Sequence, residues 1–215
     1  MPDVPFARDG TSMRRGTVID KYETCSLSHN MYYSRSAVER AFGAGVPLNF
    51  LFFWGHQPSK HGEISPSCLS QWWPSKFLVD GIVYATAEHW MMANKARLFG
   101  DDETATKIIA ANSPKEVKHL GRMVTGFNAS VWDEKKLEIV QEGSFHKFSQ
   151  NLELRDYLVS TRDFVLAEAS PVDCIWGIGL AADHPDATNP LRWRGDNLLG
   201  FALMYARNRL SDNIF

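Results

Sequence analysis

Two short stretches of this chain hold residues able to do covalent or proton-transfer chemistry. In Glu88-His89-Trp90-Met91-Met92-Ala93-Asn94-Lys95 a carboxylate and an amine stand seven residues apart, two turns of a helix. Glu88, Met92, Lys95 and Phe99 share one stripe, beside a stripe of Ala87, Trp90, Met91, Asn94 and Leu98 that reads as core. At a solvated helix edge both charges are ordinary. On a buried face desolvation disfavours the ammonium and lowers the lysine pKa, which prepares an amine to attack an imine carbon.

The second stretch runs from Ser170 to Leu180. Asp173 stands between a turn and an aliphatic run, where a carboxylate can simply cap the turn. Glu168 precedes it by five residues, and Trp176, Gly177 and Gly179 follow. A carboxylate, an indole and backbone free of side chains suit a sugar or a base. Residues 177–182 also spell GxGxxA, the dinucleotide fingerprint. That fingerprint needs a helix to begin inside it within a βαβ unit, and the prolines at 185 and 190 and the turn residues around them argue against one. Arg192, Trp193 and Arg194 run into Asp196-Asn197, where arginines and helix amides suit a phosphate, unless the loop is merely solvated. Gly121-Arg122 offers another cation, which could equally complement a helix C-terminus. No HExxH, GxSxG or P-loop occurs and the seven His are scattered, so neither a metal nor a cofactor is expected.

The elements that must position these residues are mostly helices. A short helix is expected at 36–42, ended by Gly43, Gly45 and Pro47. Asn49–Trp54 reads as a buried strand closed by Gly55, Pro58–Pro66 as a loop carrying Lys60, His61 and Gly62, and Phe77–Tyr84 as a hairpin turning at Asp80-Gly81. Thr86 caps a helix from Ala87 to Phe99, stopped by Gly100, and Asp101 caps the next, to Ala111. Ser113-Pro114-Lys115-Glu116 opens a third, to Arg122, with Ser as N-cap, Pro at N1 and Glu closing a capping box. Asp133 caps a fourth, to Gln150, and Leu152–Ser160 forms a fifth. Phe164–Ala167 and Ile175–Leu180 read as short strands, and Asp196 caps a final helix to Leu210. Helix dominates and βαβ alternation is absent. The expected class is α+β, a predominantly helical single domain with a few short strands.

A length of 215 residues fits one domain, and 44% hydrophobic with 22% charged residues excludes disorder, collagen and coiled coil. Seven Trp favour a ligand pocket. A formal net charge of -2 argues against tracking a long duplex through its phosphates, and predicts weak salt dependence on any oligonucleotide substrate. One nucleotide or one modified base remains open. Three Cys without CxxC spacing suit a reducing compartment and no zinc knuckle. With no 18-residue apolar run and no secretory signal at Met1–Arg15, the expectation is cytoplasm or nucleus and no membrane partner. The polar residues 1–16 read as a frayed arm.

Taken in order, these motifs resemble one family. They are Phe53-Trp54-Gly55; residues 69–77, LSQWWPSKF; residues 88–96, EHWMMANKA; residues 118–122, KHLGR; residues 147–151, KFSQN; residues 166–170, LAEAS; residues 173–179, DCIWGIG; and residues 197–200, NLLG. The chain resembles the NADAR family, the YbiA-like N-glycosidases, over about residues 48–210, with 1–47 as an N-terminal extension and 48–215 as the enzyme domain. Residues 1–47 and the 183–195 loop look like those of its longer subtype.

The resemblance implies hydrolysis of an N-glycosidic bond between a ribose carbon and an exocyclic amine. It implies two substrate classes: guanine carrying ADP-ribose, in DNA or as a nucleoside or nucleotide, and the ribosylamino-pyrimidine intermediates of riboflavin synthesis. It points to Lys95 as a Schiff-base nucleophile, with Glu88 and Asp173 in acid–base work or on ribose hydroxyls. The other route is a two-carboxylate glycosidase in which Lys95 is only electrostatic. Trp176 would stack on a ring, Arg122, Arg192, Arg194 and Asn197 would hold a diphosphate, and Trp54, Gly55, Trp72, Trp73, Gly177 and Gly179 would line the cleft. The leading expectation is removal of ADP-ribose from guanine, ahead of the riboflavin intermediates and of a non-catalytic ADP-ribose reader. An amine nucleophile beside carboxylates argues against the reader.

Overall fold

A computed structural model describes residues 33–58 and 63–212. The expected frayed arm at 1–16 and Lys60, His61 and Gly62 lie outside the described residues. The element order is α1 (Arg35–Gly43), β1 (Phe50–Phe53), a 3-10 turn (Pro66–Leu69), β2 (Phe77–Val79), β3 (Ile82–Tyr84), α2 (Ala87–Leu98), α3 (Asp102–Ala110), α4 (Pro114–Arg122), α5 (Ala129–Gln150), α6 (Leu152–Ser160), β4 (Val165–Glu168), a second 3-10 turn (Pro190–Arg192) and α7 (Leu198–Asp212). Helices dominate, as an α+β class with few strands requires.

β1 and β4 pair in parallel, Phe50 to Val165 and Phe53 to Glu168, so the chain between them crosses over through five helices. This pairing carries the end of β4 to the end of β1 and sets Glu168 beside the Trp54-Gly55 turn. β2 and β3 form the expected hairpin. Its turn residues Asp80 and Gly81 both have positive φ, 49° and 76°, which matches the twist of a two-residue turn.

The caps at Thr86, Asp101 and Ser113 stand where the sequence puts them, each accepting an amide of its helix's first turn. Two helix starts differ from expectation. α5 begins at Ala129, because the Asn128 side chain accepts the Val131 amide and caps it first; Asp133 lies inside the helix and pairs with Lys136 at 2.7 Å. α7 begins at Leu198, after Asn197 rather than Asp196. Asn197 has a φ of 55° and is fully buried. Its carboxamide bridges β4, donating to the Leu166 carbonyl and accepting from the Glu168 amide.

The expected strand at 175–180 is a series of bends. The carbonyls of Ile175 and Trp176 accept the amides of Leu198 and Leu199, and those of Gly177 and Ile178 accept from Asn197 and from Arg194 and Gly195. The segment is spent on capping α7, so no ladder forms. The core lies where α5 packs between α2 and α7, and α7 packs on β4, around Phe148, Leu166, Phe201 and Leu203. α2 is enclosed on more sides than one stripe: Met92, Ala93 and Ala96 are buried, while Trp90, Asn94 and Leu98 are only half-buried. α1 docks through Arg35, whose guanidinium donates to the carbonyls of Trp193 and Gly195.

Candidate active site

The hairpin, the Thr86 cap and the loop before the hairpin deliver the first turn of α2 into the body of the protein. The Glu88 amide donates to the Gln71 carbonyl at 3.0 Å, which ties α2 to that loop. The loop is held from behind by Lys147 on α5. This lysine is 1% exposed and its Nζ donates to the carbonyls of Cys68 and Ser70 at 2.6 and 2.8 Å. His89 faces away from the cleft, with its ring nitrogens on Thr86 and the Ala111 carbonyl, a satisfied core histidine.

A cavity of about 510 Å³ opens between the start and middle of α2, the end of α4, the end of β4 and the 170–176 turn. Glu88, Lys95 and Asp173 all line it, as do Trp54, Gly55, Trp72, Arg122 and Trp176. The remaining expected site residues are elsewhere. Trp73 is in the core, and Arg192 and Arg194 are exposed and off the cavity wall. Asn197 is committed to β4, and the α7 amides that were expected to meet a phosphate are bonded to protein carbonyls. Gly177 and Gly179 are also off the wall, and their size answers to packing. A Cβ on Gly177 would stand 2.7 Å from the Glu168 carbonyl, and Gly179 has a φ of 70° with Arg194 against it.

Charge is unevenly placed within the cleft. Glu88 is 4% exposed, and burial pushes its carboxyl up from 4.5 to about 7, against the pull of Lys118 and a hydrogen bond with the Trp72 side chain. Burial, with the charges of Asp173 and Glu88, pushes Glu168 up to about 8. Asp173 does cap its turn, its Oδ1 accepting the amides of Ile175 and Trp176 at 2.9 and 2.8 Å, yet it also faces the cavity. Lys95 donates to the Gly121 carbonyl at 2.7 Å and lies 4.3 Å from the Phe127 ring centre; burial lowers its pKa. Among the described residues no group of three His, Cys, Asp or Glu is placed to hold a metal ion.

Sequence reasoning gave Glu168, Gln71 and Lys118 no role, and all three line the cavity. Glu168 Oε2 and Gln71 Nε2 are buried without a hydrogen-bond partner, unusual for interior polar groups and common where a ligand completes the site. The signal available for Glu168 was its place at a strand end, five residues before Asp173.

Such a cleft, with an amine and clustered carboxyls under an aromatic rim, defines a helical α+β protein equipped for acid–base and nucleophilic chemistry. Residues 52–211 match the NADAR domain family, and the chain belongs to it. It is 41% identical over 163 residues to the N-glycosidase R617 of Acanthamoeba polyphaga mimivirus, a match covering 74% of this chain and 94% of that one. It is 28% identical over 145 residues to the riboflavin biosynthesis protein VVA0006 of Vibrio vulnificus, covering 67% of this chain and 36% of that one. The fold is similar to the NMR structure of Escherichia coli YbiA, with a TM-score of 0.61 and 24% identity, covering 78% of this chain and 89% of that one. Among the described residues no helix is long and apolar enough to cross a membrane.

Proposed function

We propose that the protein is an N-glycosidase that releases ADP-ribose from ADP-ribosylated guanine through a Schiff base on Lys95. The observation that carries this reading is that Lys95 and Glu88, two turns apart on α2, line one cavity with Asp173, which comes from a turn far later in the chain. The name of the mimiviral relative supports the N-glycosyl bond as the one broken.

A ribose bonded to an exocyclic amine ring-opens to an imine. The neutral Lys95 amine adds to the sugar C1, and the C=N electron pair moves to the departing nitrogen. Glu88, whose burial keeps a proton near neutral pH, protonates that nitrogen. The Lys95 nitrogen, cationic after its addition, passes a proton to the guanine nitrogen, which leaves as a neutral amine while the Lys95 nitrogen forms its own C=N bond to C1. Asp173 takes a proton from water as the water adds to C1; the C1 hydroxyl proton passes to the Lys95 nitrogen, the free aldehyde sugar departs, Lys95 regains its neutral amine, and the proton on Asp173 returns to Glu88. The net reaction consumes one water. Trp54, Trp72 and Trp176 give flat surfaces for the base and the sugar.

A second reading is hydrolysis of the ribosylamino-pyrimidine intermediates of riboflavin synthesis, favoured by the name of the Vibrio relative. The same residues serve, since the bond is chemically alike. Incubation with single-stranded DNA bearing one ADP-ribosylated guanine, read by mass spectrometry, tests the first. Unmodified guanine plus free ADP-ribose is the expected result. Turnover of the ribosylamino-pyrimidine alone overturns it in favour of the second.

A further inference from the structure

Lys118 and Arg122 lie one turn apart on α4, at i and i+4, and both are exposed and line the cavity. Two other exposed helical lysines have carboxylates beside them, Lys107 with Glu103 and Lys135 with Glu138. Neither Lys118 nor Arg122 forms an ion pair within 4.0 Å among the described residues. Lys118 lies 5.9 Å from the Trp72 ring centre, at the cavity's aromatic wall. Lys95, on the neighbouring helix, reaches the Gly121 carbonyl just before Arg122. The cavity therefore has a basic end, where α2 and α4 converge, and an acidic side formed by Glu88, Glu168 and Asp173.

We propose that Lys118 and Arg122 are the subsite for the phosphate ester carried on the sugar, and that Lys118 is shared between that phosphate and the carboxyls of Glu88 and Glu168. The inference rests on the N-glycosidase reading. A substrate laid with C1 between Lys95 and the carboxyls points its 5-phosphate arm along the cavity, and the basic end is the complementary place for it. The C-terminal end of α4 presents carbonyls rather than free amides, so the two side chains carry the recognition. Arg192 and Arg194 lie off the cavity and are not part of it.

The sharing has a consequence. The charges that act on Glu168 come from Glu88 on α2, Asp173 in its turn and Lys118 on α4, and Lys118 alone favours ionisation. A phosphate that neutralises Lys118 leaves Glu88 and Glu168 holding their protons more tightly. By linkage, phosphate binding near neutral pH takes up protons. The substrate thus helps to arm the acid that will protonate its leaving group.

Calorimetric titration of the full chain with ADP-ribose, ribose 5-phosphate and unphosphorylated ribose tests this, in two buffers of different ionisation enthalpy. K118M and R122M should each weaken ADP-ribose roughly tenfold to a hundredfold and leave ribose unchanged. Ribose 5-phosphate losing as much as ADP-ribose identifies a monophosphate site, and a larger loss for ADP-ribose identifies a diphosphate site; both support the subsite. ADP-ribose should take up protons with the wild type at pH 7.5 and fewer with K118M. Unchanged ADP-ribose affinity in both variants, or a loss only in an R192M/R194M control, overturns the subsite. Equal proton uptake in wild type and K118M overturns the sharing. Binding is read without turnover, so a protein that binds ADP-ribose through α4 but cleaves no glycosylamine would sink the enzymatic reading and leave the subsite standing.

Discussion

Lys95 Nζ donates a 2.7 Å hydrogen bond to the Gly121 carbonyl, so the amine of α2 is fastened to the last turn of α4. The nitrogen lies 4.3 Å from the Phe127 ring centre. Burial lowers its proton affinity, and the hydrogen bond gives it one fixed direction while leaving it on the cavity wall. K95M removes the proposed nucleophile without leaving a buried charge behind. Its turnover should fall by more than a thousandfold on the order expected for a lost covalent route, with melting temperature within a few degrees of wild type. K95R should be equally inactive, because a guanidinium does not give up its proton at neutral pH. Steady-state kinetics and a thermal melt check both.

The raised carboxyls make stability depend on pH in a stated direction. Glu88 and Glu168 move from 4.5 to about 7 and about 8 on folding, so between those values the native state holds protons that the unfolded chain has released. Their contribution is fully present below about 4.5 and is lost as pH rises to about 8. The wild-type melting temperature should therefore drop between pH 5 and 8. E168Q should flatten part of that drop and be the more stable protein at pH 8. A melt series across this range decides it.

Asp173 caps its turn, and one substitution can separate that task from the proposed catalytic one. Its Oδ1 holds the amides of Ile175 and Trp176, a task the Asn oxygen can also perform. D173N should keep the turn and the fold while lowering kcat/KM by at least about tenfold. D173A should lose activity and also about 1 kcal/mol of stability. Wild-type kcat/KM in D173N would reduce Asp173 to a turn residue.

Lys147 predicts a stability effect behind the cleft. Its side chain is buried, which pulls its pKa down to about 7, and its Nζ bonds the Cys68 and Ser70 carbonyls that fix the loop leading to Gln71 and Trp72. K147A leaves both carbonyls unpaired and opens a void, so denaturant unfolding should show a loss of roughly 2–5 kcal/mol. A loss below about 0.5 kcal/mol would contradict the role given to it.

Much of this architecture was legible locally. Thr86, Asp101 and Ser113 accept amides of their own helices, a relation that spans three residues and needs no tertiary information. Asp80-Gly81 encodes its turn in the same way. What was not legible depends on partners far away in sequence. Ile175–Leu180 looked like a strand from its apolar run, but its carbonyls answer to amides of residues 194–199. Asn197 looked like a helix start open to phosphate; its carboxamide is spent on Leu166 and Glu168. The sequence showed Glu168 five residues before Asp173, but not its place beside Phe53, which comes from the parallel pairing of β1 and β4. The NADAR motifs located Lys95, Glu88 and Asp173, and only the fold shows that they share a cavity with Lys118.

The most direct measurement is a borohydride trap during turnover of the ADP-ribosylated guanine oligonucleotide, followed by intact mass and peptide mapping. The account predicts a reduced sugar adduct on Lys95, absent from K95M and absent without reductant. Turnover with no adduct on Lys95 would contradict the Schiff base and leave the carboxyls Glu88, Glu168 and Asp173 to carry the reaction.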